Sequence, residues 1–328
     1  MQESNIIKQL SHLITLAVIA LTSLGHPASA DDWPNRSVRV IVPYAAGGIS
    51  DVIGRTFADG LSTLLKKPFV VENRTGAGGI VALEAVARSA PDGYTLIVSG
   101  FPSLIGSPGI NPSATLDAMN DFTHIAFLGG PPNALVVHPS FRAQNFSEFI
   151  ERLKAKGGIE YATAGPGTTG NVLMEYFKLI SGLPVTHVGY RGGAGALGDL
   201  ISGHVEVGVI SLPTASAHLR SQRLIPIAIS SEVRSPELPK VPTFKELGYS
   251  GLVTTTWFSL SGPAGLPQFI TDKANRAVIE MLRTKKFEEF LAREQVQVEP
   301  MTPAQVTTFV GSERDKWSPV FSLIKKVK

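Results

Sequence analysis

Glycine-rich turns carry the groups in this sequence that could do chemistry. The first is Tyr44-Ala45-Ala46-Gly47-Gly48-Ile49-Ser50-Asp51. It follows the apolar β-branched run Val38–Val42. It precedes a segment whose apolar positions, Val52, Ile53, Phe57, Leu61, Leu64 and Leu65, recur at three- and four-residue steps. That spacing predicts strand, turn and helix. Such a turn leaves the first backbone N–H groups of the helix without partners and aims them at whatever lies above, an arrangement suited to an anion and in particular to a carboxylate. Gly165-Pro166-Gly167-Thr168-Thr169-Gly170 and Gly192-Gly193-Ala194-Gly195 repeat the device, the latter preceded by Tyr190. Gly76-Ala77-Gly78-Gly79 is a fourth such turn, where close packing is as good a reason for glycine as binding.

Each of these groups has a second reading. The second turn fits G-x-G-x-x-G between a strand and a helix, which is the pattern of a dinucleotide site. However, no acid follows about twenty residues on, where the sequence is Thr186 to Arg191. A loop holding a carboxylate with its N–H groups and the Thr168 and Thr169 hydroxyls, and a plain tight turn, both remain open. Tyr190 could offer a hydroxyl and a ring face to a ligand, or pack in a core. Asp51 could act as an acid or base, or sit favourably at a helix start. Trp257 and Phe258 could form a ligand wall or a core.

Catalytic patterns are missing. The sequence has no G-x-S-x-G, no G-x-x-x-x-G-K-[ST], no H-E-x-x-H and no EF-hand loop. Its histidines lack metal-ligand spacing, and with no cysteine there is no thiolate nucleophile, iron–sulfur cluster or disulfide. No catalytic residue, metal or cofactor is expected. A net charge of +3 without a basic run argues against nucleic acid.

The elements that must position these turns alternate as strand and helix from Val38 to Ile229, which predicts α/β architecture with parallel sheets. The stretch from Phe101 to Asn120 has little periodicity. A strand is expected over Leu252–Leu260, then helices over Phe269–Leu282, Phe287–Glu294 and Pro303–Lys325. Breaks near 129–133 and 261–267 suggest two chain crossings and an inserted middle domain. The 328 residues suffice for two cores. Lys8, the mostly apolar stretch Leu13–Leu24 and Ala28-Ser29-Ala30 read as an export signal, too short at twelve residues to span a bilayer. Cleavage is expected after Ala30, giving a soluble exported protein.

Trp33-Pro34 leads to VRVIVPYAAGGISD, then PFVVENRTGAGG, APDGYTL, YATAGPGTTG, HVGYRGGAGALGDLISGHVEV, RSPELPKVPTFKELG and TTWFSLSGPAGLP. In order and spacing these segments resemble the Bug-type receptors, the periplasmic solute-binding proteins of tripartite tricarboxylate transporters. The resemblance implies an α/β, two-lobed periplasmic-binding-protein fold of type II, with two doubly wound domains joined by two crossing strands. Domain 1 would comprise residues 31–132 and 256–328, and domain 2 residues 133–255, after a signal over 1–30. It implies a periplasmic receptor, expected to be monomeric, that takes a small carboxylate between its lobes and delivers it to the membrane subunits of a transporter. Alternatives are a receptor feeding a signalling partner and an exported hydrolase. Carried over by position, the ligand residues would be Tyr44, Gly48, Ser50, Asp51, Ser99, Gly100, Asn133, Ala164, Gly165, Gly167, Thr168, Thr169, Tyr190 and Gly192. Three departures stand out: Asn171 where the family commonly has His, Ile210 where it commonly has Asp, and an unusual stretch after Ser99. With Ile210 in the cleft, an aromatic or otherwise apolar carboxylate is expected.

Overall fold

The structure, a computed structural model, describes residues 33–327, so the expected signal segment lies outside the described residues. The chain first forms β1 (Val38–Val42), α1 (Ile49–Leu65), β2 (Phe69–Asn73), α2 (Ile80–Ala87), β3 (Thr95–Gly100), the short α3 (Ser107–Ile110) and β4 (Phe122–Gly129). It then builds β5 (Asn133–Val137), α4 (Phe146–Lys156), β6 (Ile159–Thr163), α5 (Thr169–Ser181), β7 (Val185–Gly189), α6 (Gly193–Ser202), β8 (Val207–Ser211), α7 (Leu212–Arg220) and β9 (Ile225–Ile229). It returns with β10 (Phe258–Pro263), α8 (Gln268–Leu282), α9 (Lys285–Arg293) and α10 (Pro303–Val327).

The strands make two five-stranded sheets, ordered β2-β1-β3-β10-β4 and β7-β6-β8-β5-β9. The two orders are the same pattern. In each sheet the strand by which the chain arrives from the other lobe, β10 or β5, runs antiparallel to both of its neighbours. The purely parallel sheets expected from the alternation therefore give way to mixed ones, and the cause is topological. A chain that enters a lobe at the end of the sheet facing its partner must run its first strand away from that end. All other strands then point their C-terminal ends toward the partner lobe, where α/β sheets place their ligand loops.

The crossings are stitched together. Thr256 N–H donates to the Pro131 carbonyl at 3.0 Å and Thr254 N–H to that of Ser230 at 2.8 Å. Asn133 N–H donates to Ser230 Oγ at 2.9 Å. Residues 253–257 are spent on these contacts, so the strand expected from Leu252 begins only at Phe258, after a 3₁₀ turn at Ser250–Leu252. The aperiodic stretch after Ser99 is ordered too: Phe101–Gly106 form a π-helical turn that runs into α3. Its apolar side chains Phe101, Leu104 and Ile105 share a helical face and are buried.

Strand alternation divides the first core. Val38, Val40 and Val42 pack with α1 and α8 on one face of the sheet, while Ile41 and Ile97 pack on the other with Phe101, Trp317 and Phe321. Beneath β3 a polar chain crosses that sheet. The His124 Nε2 lies 2.9 Å from the Ala118 carbonyl and its Nδ1 3.0 Å from Ser261 Oγ. A carbonyl only accepts, so Nε2 carries the proton, and in the neutral ring Nδ1 accepts from the Ser261 hydroxyl. Burial holds the His124 pKa below its ordinary value of 6.5. As pH falls through 6.5 the unfolded chain takes up a proton that the folded chain refuses. Stability therefore declines, at up to about 1.4 kcal/mol per pH unit, until the folded value is reached. Thermal melts should show the midpoint dropping between pH 7 and 5, with a flatter profile in His124→Gln.

Candidate ligand-binding site

The C-terminal ends of the parallel strands carry the glycine turns, and these turns divide into two kinds. Around Gly47, Gly48 and Gly192 there is room: a Cβ on Gly47 or Gly192 would meet nothing within 4 Å, and one on Gly48 only the Ala45 carbonyl at 3.7 Å. Gly78, Gly100 and Gly167 are instead closely packed, a Cβ on Gly100 standing 2.1 Å from the Trp257 carbonyl oxygen. The first kind leaves space for a ligand. The second lets backbones meet.

The first turn is braced from below. Asp51, 4% exposed, accepts from Gly47 N–H at 3.0 Å, from Asn73 Nδ2 at 2.8 Å and from Arg55 Nε at 3.0 Å. Its other carboxylate contact to Arg55 is also 3.0 Å. Burial alone would raise its pKa, but the hydrogen bonds from Arg55, Gly47 and Asn73 and the Arg55 charge outweigh that and hold it below the usual carboxylate range. Both oxygens are thus committed to shaping the Gly47–Gly48 loop, and the charge is neutralised. Tyr44 points the other way: its hydroxyl donates to the Gly78 carbonyl at 2.9 Å, and burial pushes its pKa up. Ser50, buried in the first turn of α1, has a hydroxyl with no hydrogen bond among the described residues, beside the unpaired N–H groups of that turn.

In the second lobe Thr163 Oγ1 accepts from Gly165 N–H at 3.1 Å, and Thr168 Oγ1 donates to the Gly165 carbonyl at 2.7 Å. Asn171 receives Gly167 N–H at 3.0 Å and donates to Tyr161 Oη at 3.0 Å, so this departure from the family pattern braces the loop. Ala164 is half-buried beside it. Gly170 lies at the start of α5 where a Cβ would stand 2.5 Å from the Val209 carbonyl, so the glycine pattern here permits close helix–strand packing. Thr169 joins a chain that spans the lobes: Asn133 Nδ2 donates to Thr256 Oγ1 and Thr256 Oγ1 to Thr169 Oγ1, both at 3.0 Å. Tyr190 sends its hydroxyl to Asp199 Oδ2 at 2.5 Å; burial, with the bond and charge of Asp199, pushes its pKa up to about 12. Its ring lies against the first turn of α6, a Cβ on Gly195 falling 3.4 Å from it. Among the described residues, Arg191 takes part in no ion pair that would offset its charge, and it is exposed.

Several expected positions lie elsewhere. Ser99 is fully buried and bonded to Ser259 and Ser261 at 3.2 Å, at the sheet-facing end of the His124 chain. Ile210 is 2% exposed in the core with Ala134, Ala162, Leu200 and Ile229, because its register on β8 turns it inward. The apolar-ligand expectation tied to it has no geometrical basis. Trp257 is core as well: its indole N–H donates to Glu313 at 2.8 Å and its ring meets Phe309 edge-on. Thr256 and Ser211 were not singled out from sequence. Ser211 Oγ is buried at the end of β8 without a partner among the described residues, and the signal was its place at a parallel strand's C-terminal end just before a helix. Among those residues, no cluster of His, Asp and Glu could hold a metal ion, and no helix is long and apolar enough to cross a membrane.

Residues 53–327 match the family described as tripartite tricarboxylate transporter family receptor. The chain belongs to that family. The receptor is 34% identical over 305 residues to protein BugT of Bordetella pertussis, covering 92% of this chain and 93% of BugT. A solved R. palustris protein with adipate is 29% identical, with a TM-score of 0.84 over 90% of this chain and 99% of its own. MatC from Rhodopseudomonas palustris with bound malate is 29% identical, with a TM-score of 0.82 over 88% of this chain and 100% of its own. The receptor thus has the periplasmic-binding-protein fold, and its family binds solutes rather than catalysing reactions.

Removing the brace should loosen the first turn. Asp51→Asn keeps an acceptor for Gly47 but loses the charge opposite Arg55. Because Arg55 is half exposed, the expected loss is about 1–2 kcal/mol, read as a lower urea midpoint at pH 7. The depressed pKa works in the acid range: its contribution is present above the unfolded value near pH 4 and fades as pH falls through the folded one. The gap between wild type and Asp51→Asn should therefore narrow on acidification.

Proposed function

We propose that this receptor captures a short dicarboxylate between its lobes in the periplasm and delivers it, as a monomer, to the membrane subunits of a tripartite tricarboxylate transporter. The observation that carries this reading is that open glycine turns follow parallel strands whose C-terminal ends point toward the other lobe: Gly47–Gly48 before α1 in one lobe and Gly192 before α6 in the other. Each presents unpaired N–H groups to a space that glycine leaves free. One carboxylate per lobe can then be held by neutral donors, the N–H groups aided by the Ser50 hydroxyl in the first lobe and by Thr169 and Ser211 in the second. Charge favours an anion. Asp51 is neutralised by Arg55, while Arg191 adds positive potential at the second loop.

Burying a carboxylate is costly unless its oxygens are fully hydrogen-bonded, and several convergent donors meet that need. Micromolar affinity requires only about 8 kcal/mol net. Adipate and malate, the acids in the two R. palustris structures, are the natural probes. The proposed division is a first lobe of residues 31–132 and 256–328 and a second of 133–255, with the crossings at Asn133 and Thr256 as the pivot.

Calorimetry of the purified chain with adipate, malate, citrate and an aromatic monoacid tests this. We expect saturable one-to-one binding of a dicarboxylate, with the acid recovered unchanged. Ser50→Ala should weaken it roughly ten- to a hundredfold, the equivalent of one hydrogen bond to a charged group at about 1.5–3 kcal/mol. Absence of binding across the panel, with a copurified ligand excluded by mass spectrometry, would sink the reading.

A further inference from the structure

The segment after β3 forms a wedge that touches both lobes. Phe101, Leu104 and Ile105 of its π-helical turn are buried with Trp257, Trp317 and Phe321 of the first lobe, and in the same cluster with Val172 of α5 in the second. Tyr176, one turn along α5, sets its ring edge-on to Trp317 with centroids 6.2 Å apart. An apolar seam therefore runs from lobe to lobe. At the tip of the wedge, backbone meets backbone. A Cβ on Gly106 would stand 1.9 Å from the Gly167 carbonyl oxygen, and one on Gly167 only 2.6 Å from Ser107 Cα. The Ser107 hydroxyl donates to the Gly78 carbonyl at 2.8 Å, tying the tip to a glycine turn of its own lobe.

We propose that Gly106 and Ser107 are positioning residues for capture: the wedge holds the lobes together before a ligand arrives, at a separation set by the contact of Gly106 on Gly167. This rests on the reading that the ligand is taken between the lobes. Burial of Val172 and Trp317 at this contact, with the partly buried Tyr176 ring set against Trp317, favours the closed arrangement whether or not a ligand is bound. The ligand then does not have to supply the whole free energy of closure, and its apparent affinity is not reduced by a small competent fraction. Its entry waits on transient opening. A methyl group at position 106 cannot fit against Gly167 in a close-packed junction, so Gly106→Ala drives the lobes apart.

The absence of cysteine makes the test clean. Val70 at the outer end of β2 and Ala155 near the outer end of α4 are exposed, one on each lobe. Spin labels on Val70→Cys and Ala155→Cys report the separation of the lobes in the full chain without ligand, by pulsed electron–electron resonance. We expect one narrow distance population in the parent pair and a longer, broader one after Gly106→Ala. Gly198→Ala, where a Cβ meets nothing within 4 Å, should leave the distribution unchanged. Val172→Ser weakens the seam from the α5 side without adding volume and should shift it in the same direction, so the test survives if Gly106→Ala does not fold. If the closed fraction falls to about a tenth, the adipate Kd of Gly106→Ala rises about tenfold. A parent distribution that is already broad, or one unaltered by both variants, overturns the proposal. Failure of the capture reading looks different: no acid binds the parent, while the distances still respond to position 106.

Discussion

A chain that passes twice between two lobes must enter each lobe where the crossings leave it, and most of this structure follows from that constraint. The entering strands β5 and β10 run antiparallel to their neighbours, and the two sheets share one strand order because each solves the same problem. Every parallel strand then ends at the junction. The turns that follow those strands are drawn to one place even though Gly48 and Gly192 are far apart in sequence. The crossings also need their own hydrogen bonds, since backbone leaving one sheet for another has no ladder partner. Ser230, Thr254, Thr256 and Asn133 supply them, and this extends the junction by a polar chain to the start of α5.

Glycine serves opposite purposes at this junction. At Gly48 and Gly192 the missing side chain leaves space above a helix start. At Gly106 and Gly167 it allows two backbones to meet, and nothing larger would fit. The two uses are coupled: close contact at one place sets the lobe separation, and the separation sets the width of the space at the other.

The element order was legible because apolar periodicity switches cleanly between two and 3.6 along the chain. The turns were legible because their glycines stand between such segments. Legibility ended where a contact depended on partners distant in sequence. Thr256 meets Thr169 across 87 positions; the glycine turn marks Thr169, but no local pattern marks Thr256 or the pairing. Ser99 and Ile210 stand at strand ends that suggest a ligand, but strand register decides which face they take, and both turn into a core. The segment after Ser99 looked irregular because its period is that of a π-turn, although Phe101, Leu104 and Ile105 already marked an inward face. Asp51 and Arg55, four residues apart on one helix, could have been paired from sequence alone.

That pairing bears on how an anion would be held under the proposed capture reading. A bare Asp51 at the first glycine turn would repel a carboxylate; with Arg55 and two N–H donors on its oxygens it instead fixes the shape of the loop while adding almost no charge. The donors left to a ligand are then mostly neutral and directional, and they serve an acid with oxygens at both ends better than a single point charge does. Neutral donors have a second advantage over a buried Arg or Lys: when no ligand is bound, water can satisfy them, and no unpaired charge is left in the closed junction. A receptor whose lobes rest together can therefore have a site of oriented N–H and O–H groups at little cost to its own stability, which a site built on cations would not allow.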